Sequence, residues 1–198
     1  MELKKQCKER FQPAVDAIEE LLKQQMNSDD AILIAIDGRC GSGKTTLGNY
    51  LNGIFDSNLF HMDDFFPRME QRTPERMAQV GGNIDYERFM ETVLEPVIEK
   101  RTVIYQPYSC NEQRLAEPYE IPYKKLNIFE GSYSMHPYFK NPYRLRIFMN
   151  ISPEDQMDNI IKRNGREKAK DFREKWIPKE EAYFEKFHIQ DGTLELLW

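Results

Sequence analysis

The stretch ILIAIDGRCGSGKTT, residues 32–46, constrains this chain more than any other. Six apolar residues, Ala31 to Ile36, run without alternation. That is the pattern of a strand buried on both faces, as in a parallel sheet. Glycines follow at 38, 41 and 43, and Gly38, Gly43, Lys44 and Thr45 fill the fixed positions of G-x-x-x-x-G-K-[ST]. With glycine at about 7% of residues, this pattern arises by chance in roughly one chain in a hundred of such length. Here it also leaves a buried strand and opens a helix, predicted from Lys44 or Thr45 to about Phe55.

The chemistry follows from the backbone. Glycines let the successive N–H groups of Gly38, Gly41, Ser42 and Gly43 turn inward around phosphate oxygens. The helix that begins with Lys44, Thr45 and Thr46 presents its positive end to the same anion. Lys44 can reach the β- and γ-phosphates, and the Thr45 hydroxyl can ligate Mg²⁺. A nucleoside triphosphate is the expected occupant.

Elsewhere, strands alternate with helices, which predicts an α/β fold with a mainly parallel sheet. "NLFHM", "LNIFEG", "LRIFMNI" and the closing "TLELLW" read as further strands of that sheet. "TVIYQPY" and "YEIPY" read as short strands around a turn at 110–118. Leu3, Cys7, Phe11, Val15, Ile18, Leu22 and Met26 form a helical stripe that Pro13 should kink or restart. Residues 85–100 have helical spacing, with Pro96 as a complication. Ser152-Pro153-Glu154-Asp155 reads as a helix start, with Ser152 as N-cap and Pro153 at the first position. A long polar helical segment then runs to about Ile189.

Composition excludes little but points one way. The 198 residues are 40% hydrophobic and 31% charged, with a net charge of -5. An acidic balance disfavours nucleic acid as a partner, since that usually demands a basic face, but not a small phosphate ligand. Cys7, Cys40 and Cys110 have no metal spacing and read as free thiols in a reducing compartment. The charged N-terminus is unlike a secretory signal and no apolar run is long enough for a membrane span. A cytoplasmic protein without a membrane partner is expected, with a homo-oligomer left open.

Certain residues would choose the reaction. Asp63, in "HMDDFF", follows the second strand, and in open α/β sheets ligands sit at the carboxyl ends of strands. There it could take the proton of a hydroxyl that attacks the γ-phosphate. Glu130, after "LNIF", stands where Mg²⁺ or its water would be held. Lys162, Arg163, Arg166, Lys168, Lys170 and Arg173 make a basic segment that could close over phosphates as a lid at about 163–175; a solvated helix face is the plainer alternative. His61, His136 and His188 show no ligand spacing. The aromatics of "WIPKEEAYFEKF" fall at helical spacing and read as core.

Taken in order, the loop at Gly38, "DDFF", "NIDYERF", "YQPYS" and "EGSY" resemble the uridine kinase-like P-loop kinases, which include phosphoribulokinase, pantothenate kinase and nicotinamide riboside kinase relatives. "FEGSYSMHPYF" and "FREKWIPKEEAYFEKF" look most like a bacterial branch often labelled uridine kinase. The resemblance spans nearly all of the chain after Ala31. It implies one P-loop kinase domain over residues 1–198, with the first thirty or so as an added helix. A five-stranded sheet flanked by helices, a helical lid and transfer from Mg-ATP to a small-molecule hydroxyl are also implied. By the same resemblance Asp63 would be catalytic together with Lys44, Arg163 and Arg166. Phe66 and Tyr108 would lie beside the substrate, Asp85 would grip ribose hydroxyls, and Arg114 would stand on the substrate side. "YSCNEQR" lacks the histidine that uridine kinases carry near the base pocket, so the acceptor stays open between a uridine- or cytidine-like nucleoside and another hydroxylated metabolite, pantothenate- or sugar-like. A regulatory nucleotide-binding module is the third reading. A GTPase would want an N-K-x-D guanine motif, which does not occur.

Overall fold

The computed structural model describes residues 2–198, with side chains from residue 9 onward, so Leu3 and Cys7 of the predicted stripe lie outside the described side chains. Five parallel strands form the central sheet in the order β2-β7-β1-β8-β9. They are β1 (Ile32–Gly38), β2 (Ser57–His61), β7 (Leu126–Glu130), β8 (Leu145–Asn150) and β9 (Leu194–Leu197). Every residue of β1 is buried, as its unbroken apolar run requires. The run is continuous because alternate side chains serve two different cores. Ile32, Ile34 and Ile36 face α1 (Glu2–Gln24) and α2 (Lys44–Ile54), where Phe11, Ala14, Ile18, Leu47 and Leu51 pack. Leu33 and Ala35 face the opposite layer with Phe60, Phe89, Phe129, Phe148 and Tyr183.

Helix α1 runs through Pro13 without restarting. Phe11, Ala14 and Ile18 are fully buried around it, and that packing outweighs a proline cost of about 3 kcal/mol. Two other prolines change the helix locally. A wide π turn over Met90–Leu94 joins α4 (Tyr86–Phe89) to α5 (Glu95–Ile98) just ahead of Pro96. A second, Phe172–Trp176, joins α6 (Pro153–Asp171) to α7 (Ile177–Lys186) just ahead of Pro178. In each case the wide turn accommodates a ring that has no N–H and would strike the carbonyl four residues back.

The remaining elements are small. Helix α3 (Pro74–Ala78) is capped by Thr73, β3 (Val103–Tyr105) pairs antiparallel with β6 (Tyr119–Ile121), and β4 (Tyr108–Ser109) with β5 (Arg114–Leu115). Ser152 caps α6 as its sequence predicts, its Oγ accepting the Asp155 N–H at 3.1 Å. Among the described residues no helix is long and apolar enough to cross a membrane, and Cys40 and Cys110 are unpaired.

Strand register positions the site. Glu130 at the end of β7 pairs with Ile36 of β1 on one side and with His61 of β2 on the other. The carboxyl ends of β1, β2 and β7 therefore finish level, and the chain leaves each of them at the same edge of the sheet.

Candidate functional site

A cavity of about 830 Å³ opens at that edge. Its walls include Gly41, Gly43, Lys44, Thr45 and Thr46 of the loop, Asp63 and Phe66 after β2, and Glu130 after β7; Arg163, Phe172 and Trp176 come from the α6–α7 region. The loop has the backbone of an anion nest. Gly38, Gly41 and Gly43 have φ of 130°, 77° and 83°, values that turn successive N–H groups to one side. At Gly38 a Cβ would lie 2.2 Å from the Met149 carbonyl oxygen, so only glycine fits against β8. Ser42 is fully buried with no partner for its Oγ, an orphaned donor inside the cradle. Lys44 Nζ donates to the carbonyls of Gly38 at 2.6 Å and Arg39 at 3.0 Å, which tethers the ammonium across the loop and leaves a third N–H for a ligand.

Two buried carboxylates brace this loop, and neither stood out in the sequence. Asp37 is fully buried and accepts four bonds, from the N–H groups of Gly38, Tyr133 and Met135 and from the Tyr183 hydroxyl, at 2.7–3.2 Å. It ties β1 to the segment after β7 and to α7. Tyr133 is held there at φ 74°, a left-handed conformation that a bulky residue seldom takes. Glu180 of α7 accepts the Cys40 N–H at 2.9 Å and the Ser132 hydroxyl at 2.6 Å, while its neighbour Glu181 binds Arg39 through two nitrogens at 2.7 and 2.9 Å. The one sequence signal was Asp37 itself, a carboxylate ending an apolar run beside the first loop glycine.

Burial pushes the Asp37 carboxyl up to about 6 from an ordinary 3.8, against the pull of Lys44 and of its hydrogen bonds. The folded state thus holds this proton more tightly than the unfolded chain does. The contribution to stability is fully present below about pH 4 and lost as the pH rises through about 6. Relative to Asp37→Asn, the wild type should lose up to about 3 kcal/mol of unfolding free energy across that window. Denaturant melts at several pH values read this directly, and a pH-independent difference would contradict the assignment.

The oxygen donors suit a hard cation. Thr45 Oγ1 lies 3.2 Å from Glu130 Oε2 on the cavity wall. Mg²⁺ commonly takes one or two protein oxygens and completes its shell with phosphate and water, so this pair fits the ion. Among the described residues no group of three or more His, Cys, Asp or Glu side chains gathers into a metal cluster of their own. The other Glu130 oxygen is bonded to His61 Nδ1, and this bond raises the imidazole above its usual value. The sequence offered no role for His61, because its partner lies on another strand.

The structure separates the two adjacent aspartates. Asp63 opens into the cavity from the short turn over Met62–Phe65. Desolvation within the cleft raises its carboxyl above the usual range, although the residue is exposed at the cleft surface; Lys44 opposes that shift, and Glu130 and Glu180 add to it. Asp64 is not on the cavity wall, and its Oδ2 accepts the buried Tyr105 hydroxyl at 2.7 Å. Phe66 lines the cavity between Tyr108 and Trp176, with the Arg72 guanidinium 4.6 Å from its ring centre.

Other expected residues stand elsewhere. Asp85 does not line the cavity. It is fully buried, caps α4, and accepts from Gln71 Nε2, Arg68 Nε, and the N–H and Nε of Arg88 at 2.9–3.2 Å, so all its acceptor positions are taken within the protein. Its neighbours Asn83 and Ile84 form the wall instead, and buried Asn83 has no partner for Oδ1. Tyr108 is buried behind Phe66, its hydroxyl accepting from Arg72 at 2.7 Å. Arg114 is exposed and pairs with Glu112. Arg163 reaches the cavity but Arg166 does not. Gly165, at φ 84° and ψ 162°, breaks α6 between them and redirects the chain. Trp176, grouped with core aromatics by its spacing, is a cavity residue, whereas Tyr183 and Phe184 are core as their spacing predicts.

Sheet order, loop conformation and cavity together define the class: this is a P-loop fold, with the architecture of P-loop kinases. No protein-family model matches the chain, and no curated protein matches it in sequence. Solved structures do match its fold. One, described as a "possible uridine kinase" from Bacillus stearothermophilus, aligns with 93% of this chain and 99% of its own at a TM-score of 0.58 and 18% identity. Another, described as a candidate fructose transport system kinase from a Silicibacter species, aligns with 86% of this chain and 91% of its own at 0.65 and 17% identity. The two are named for different acceptors, so the shared fold does not select one.

Proposed function

We propose that this protein is an ATP-dependent small-molecule kinase that transfers the γ-phosphate to a hydroxyl, most naturally that of a uridine- or cytidine-like nucleoside. The observation that carries the reading is one cavity lined by the loop lysine and threonine and also by Asp63. A module that only senses nucleotide has no need for a carboxylate at that place.

The roles follow from position. The loop N–H groups and Lys44 hold the β- and γ-phosphates, and Thr45 and Glu130 hold Mg²⁺. The ion, when bound, neutralises phosphate charge and leaves the phosphorus open to attack. Asp63 orients the acceptor hydroxyl and takes its proton as the new O–P bond forms and the bond to the β-phosphate oxygen breaks, releasing ADP. Arg163 offsets the charge that spreads over the transferred group.

An uncharged acceptor is favoured by the pairing of three of the four arginines on that side with carboxylates; the fourth, Arg72, is held by the neutral oxygens of Pro67, Gln113 and Tyr108. Arg68 and Arg88 are bound to Asp85, and Arg76 to Glu87 through two nitrogens. An anionic substrate would have to compete with these carboxylates. ADP release should be measured with uridine, cytidine, 2′-deoxyuridine, pantothenate and fructose. The ribonucleosides should give the highest kcat/KM. Turnover of fructose or pantothenate alone would move the acceptor class, and no release above the acceptor-free rate with any compound would overturn the kinase reading.

A further inference from the structure

We infer that Trp198 forms the base-stacking wall of the nucleotide subsite and that helix α1 braces it there. The inference rests on the nucleotide half of the proposed function and not on the acceptor.

Strand order sets the direction of a bound triphosphate. The loop follows β1 at the middle of the sheet. Asp63 follows β2 at one edge, with Glu130 between them. A γ-phosphate within reach of Asp63 and Glu130 points toward β2, so the base end of the nucleotide points the other way, over β8 and β9. Trp198 directly follows β9. Its N–H donates to the Asn150 carbonyl at 2.8 Å, which carries the β8–β9 ladder one residue further and fixes where the ring begins.

The ring lies on the loop itself. A Cβ added to Gly43 would be 2.3 Å from the indole, so the side chain touches the backbone just before Lys44. The same indole lines the cavity together with Gly43 and Thr46. Its other support comes from α1. The Arg10 guanidinium lies 4.6 Å from the ring centre, and the Phe11 ring, fully buried in the core, is 6.3 Å away. A cation over one face holds the indole without filling the cavity side. An aromatic plane at the base end is what a heterocycle stacks on, and such stacking tolerates different bases. Helix α1, which the sequence presents as an addition to the fold, thereby contributes to the nucleotide pocket.

Calorimetric titrations with Mg-ATP and with Mg-tripolyphosphate separate stacking from support of the loop, because only the first ligand has a base. Trp198→Ala should weaken ATP binding about tenfold, within the usual range for truncating a base-stacking aromatic, and leave tripolyphosphate within about twofold. Trp198→Phe should restore most of the loss. Arg10→Ala should weaken ATP in the same direction by about threefold. Thermal melts confirm that each variant is folded. Equal weakening of both ligands would make Trp198 a prop for Gly43 and overturn the inference, as would no change in either. A wild type that binds neither ligand would instead overturn the nucleotide reading, and this inference with it.

Discussion

Lys44→Ala is expected to lower kcat/KM for phosphoryl transfer by about 10³-fold or more. The ammonium is largely buried, and two loop carbonyls already orient it, so its charge meets the β- and γ-phosphates with little reorganisation. Removal of a single preorganised electrostatic donor costs about 10²–10³-fold. A full positive charge on the transferring group belongs at the upper end of that range or beyond it. The substitution also strips the Gly38 and Arg39 carbonyls of a donor, so some slackening of the loop should accompany the catalytic loss. A melting curve separates the two effects. A folded variant with undiminished transfer would remove the phosphate-binding assignment altogether.

Asp63→Asn is the second large effect. The amide keeps the shape of the carboxylate but cannot accept a proton, and kcat should fall about 10²–10⁴-fold while ATP affinity is nearly unchanged. A loose transition state needs little proton removal early on, so a loss near the lower end would assign Asp63 chiefly to orienting the hydroxyl. The pH profile gives an independent reading. Because its place in the cleft raises the Asp63 carboxyl, the acidic limb of kcat/KM should lie above the usual aspartate range and vanish in the variant. Asp64→Asn is the internal control. Its carboxylate is engaged with Tyr105 and faces away from the cavity, so kcat should change little. The reverse outcome, a mild Asp63 variant and a crippled Asp64 variant, would exchange the two roles.

Much of the scaffold was legible because it is written in short-range patterns. The double-sided burial of β1 follows from six adjacent apolar residues, and the loop from four fixed positions within eight. The start of α6 follows from Ser152 and Pro153. Each depends on neighbours a few residues apart, which is the range over which backbone hydrogen bonds and side-chain periodicity operate. The candidate site was legible to the same extent. Lys44, Thr45, Asp63 and Glu130 each stand at the end of a strand or in a turn that the local pattern announces, and the parallel sheet brings all such ends to one edge.

What the sequence alone determined is thus which residues arrive at that edge; which of them face the cavity was decided only by tertiary contacts. Asp85 and Asp63 look alike as isolated carboxylates, but Arg68, Gln71 and Arg88 close around one and leave the other open. Arg163 and Arg166 look like a pair until the turn at Gly165 parts them. Asp37 meets Tyr183 across a sequence separation of 146, and Cys40 meets Glu180 across 140. Trp198 reaches Gly43 only because β9 pairs alongside β8 at the edge of the sheet. A hydrogen bond or a stacked ring depends on ångström distances between groups that no local pattern relates. Those distances exist only once both cores have closed around β1 and set its neighbours in register.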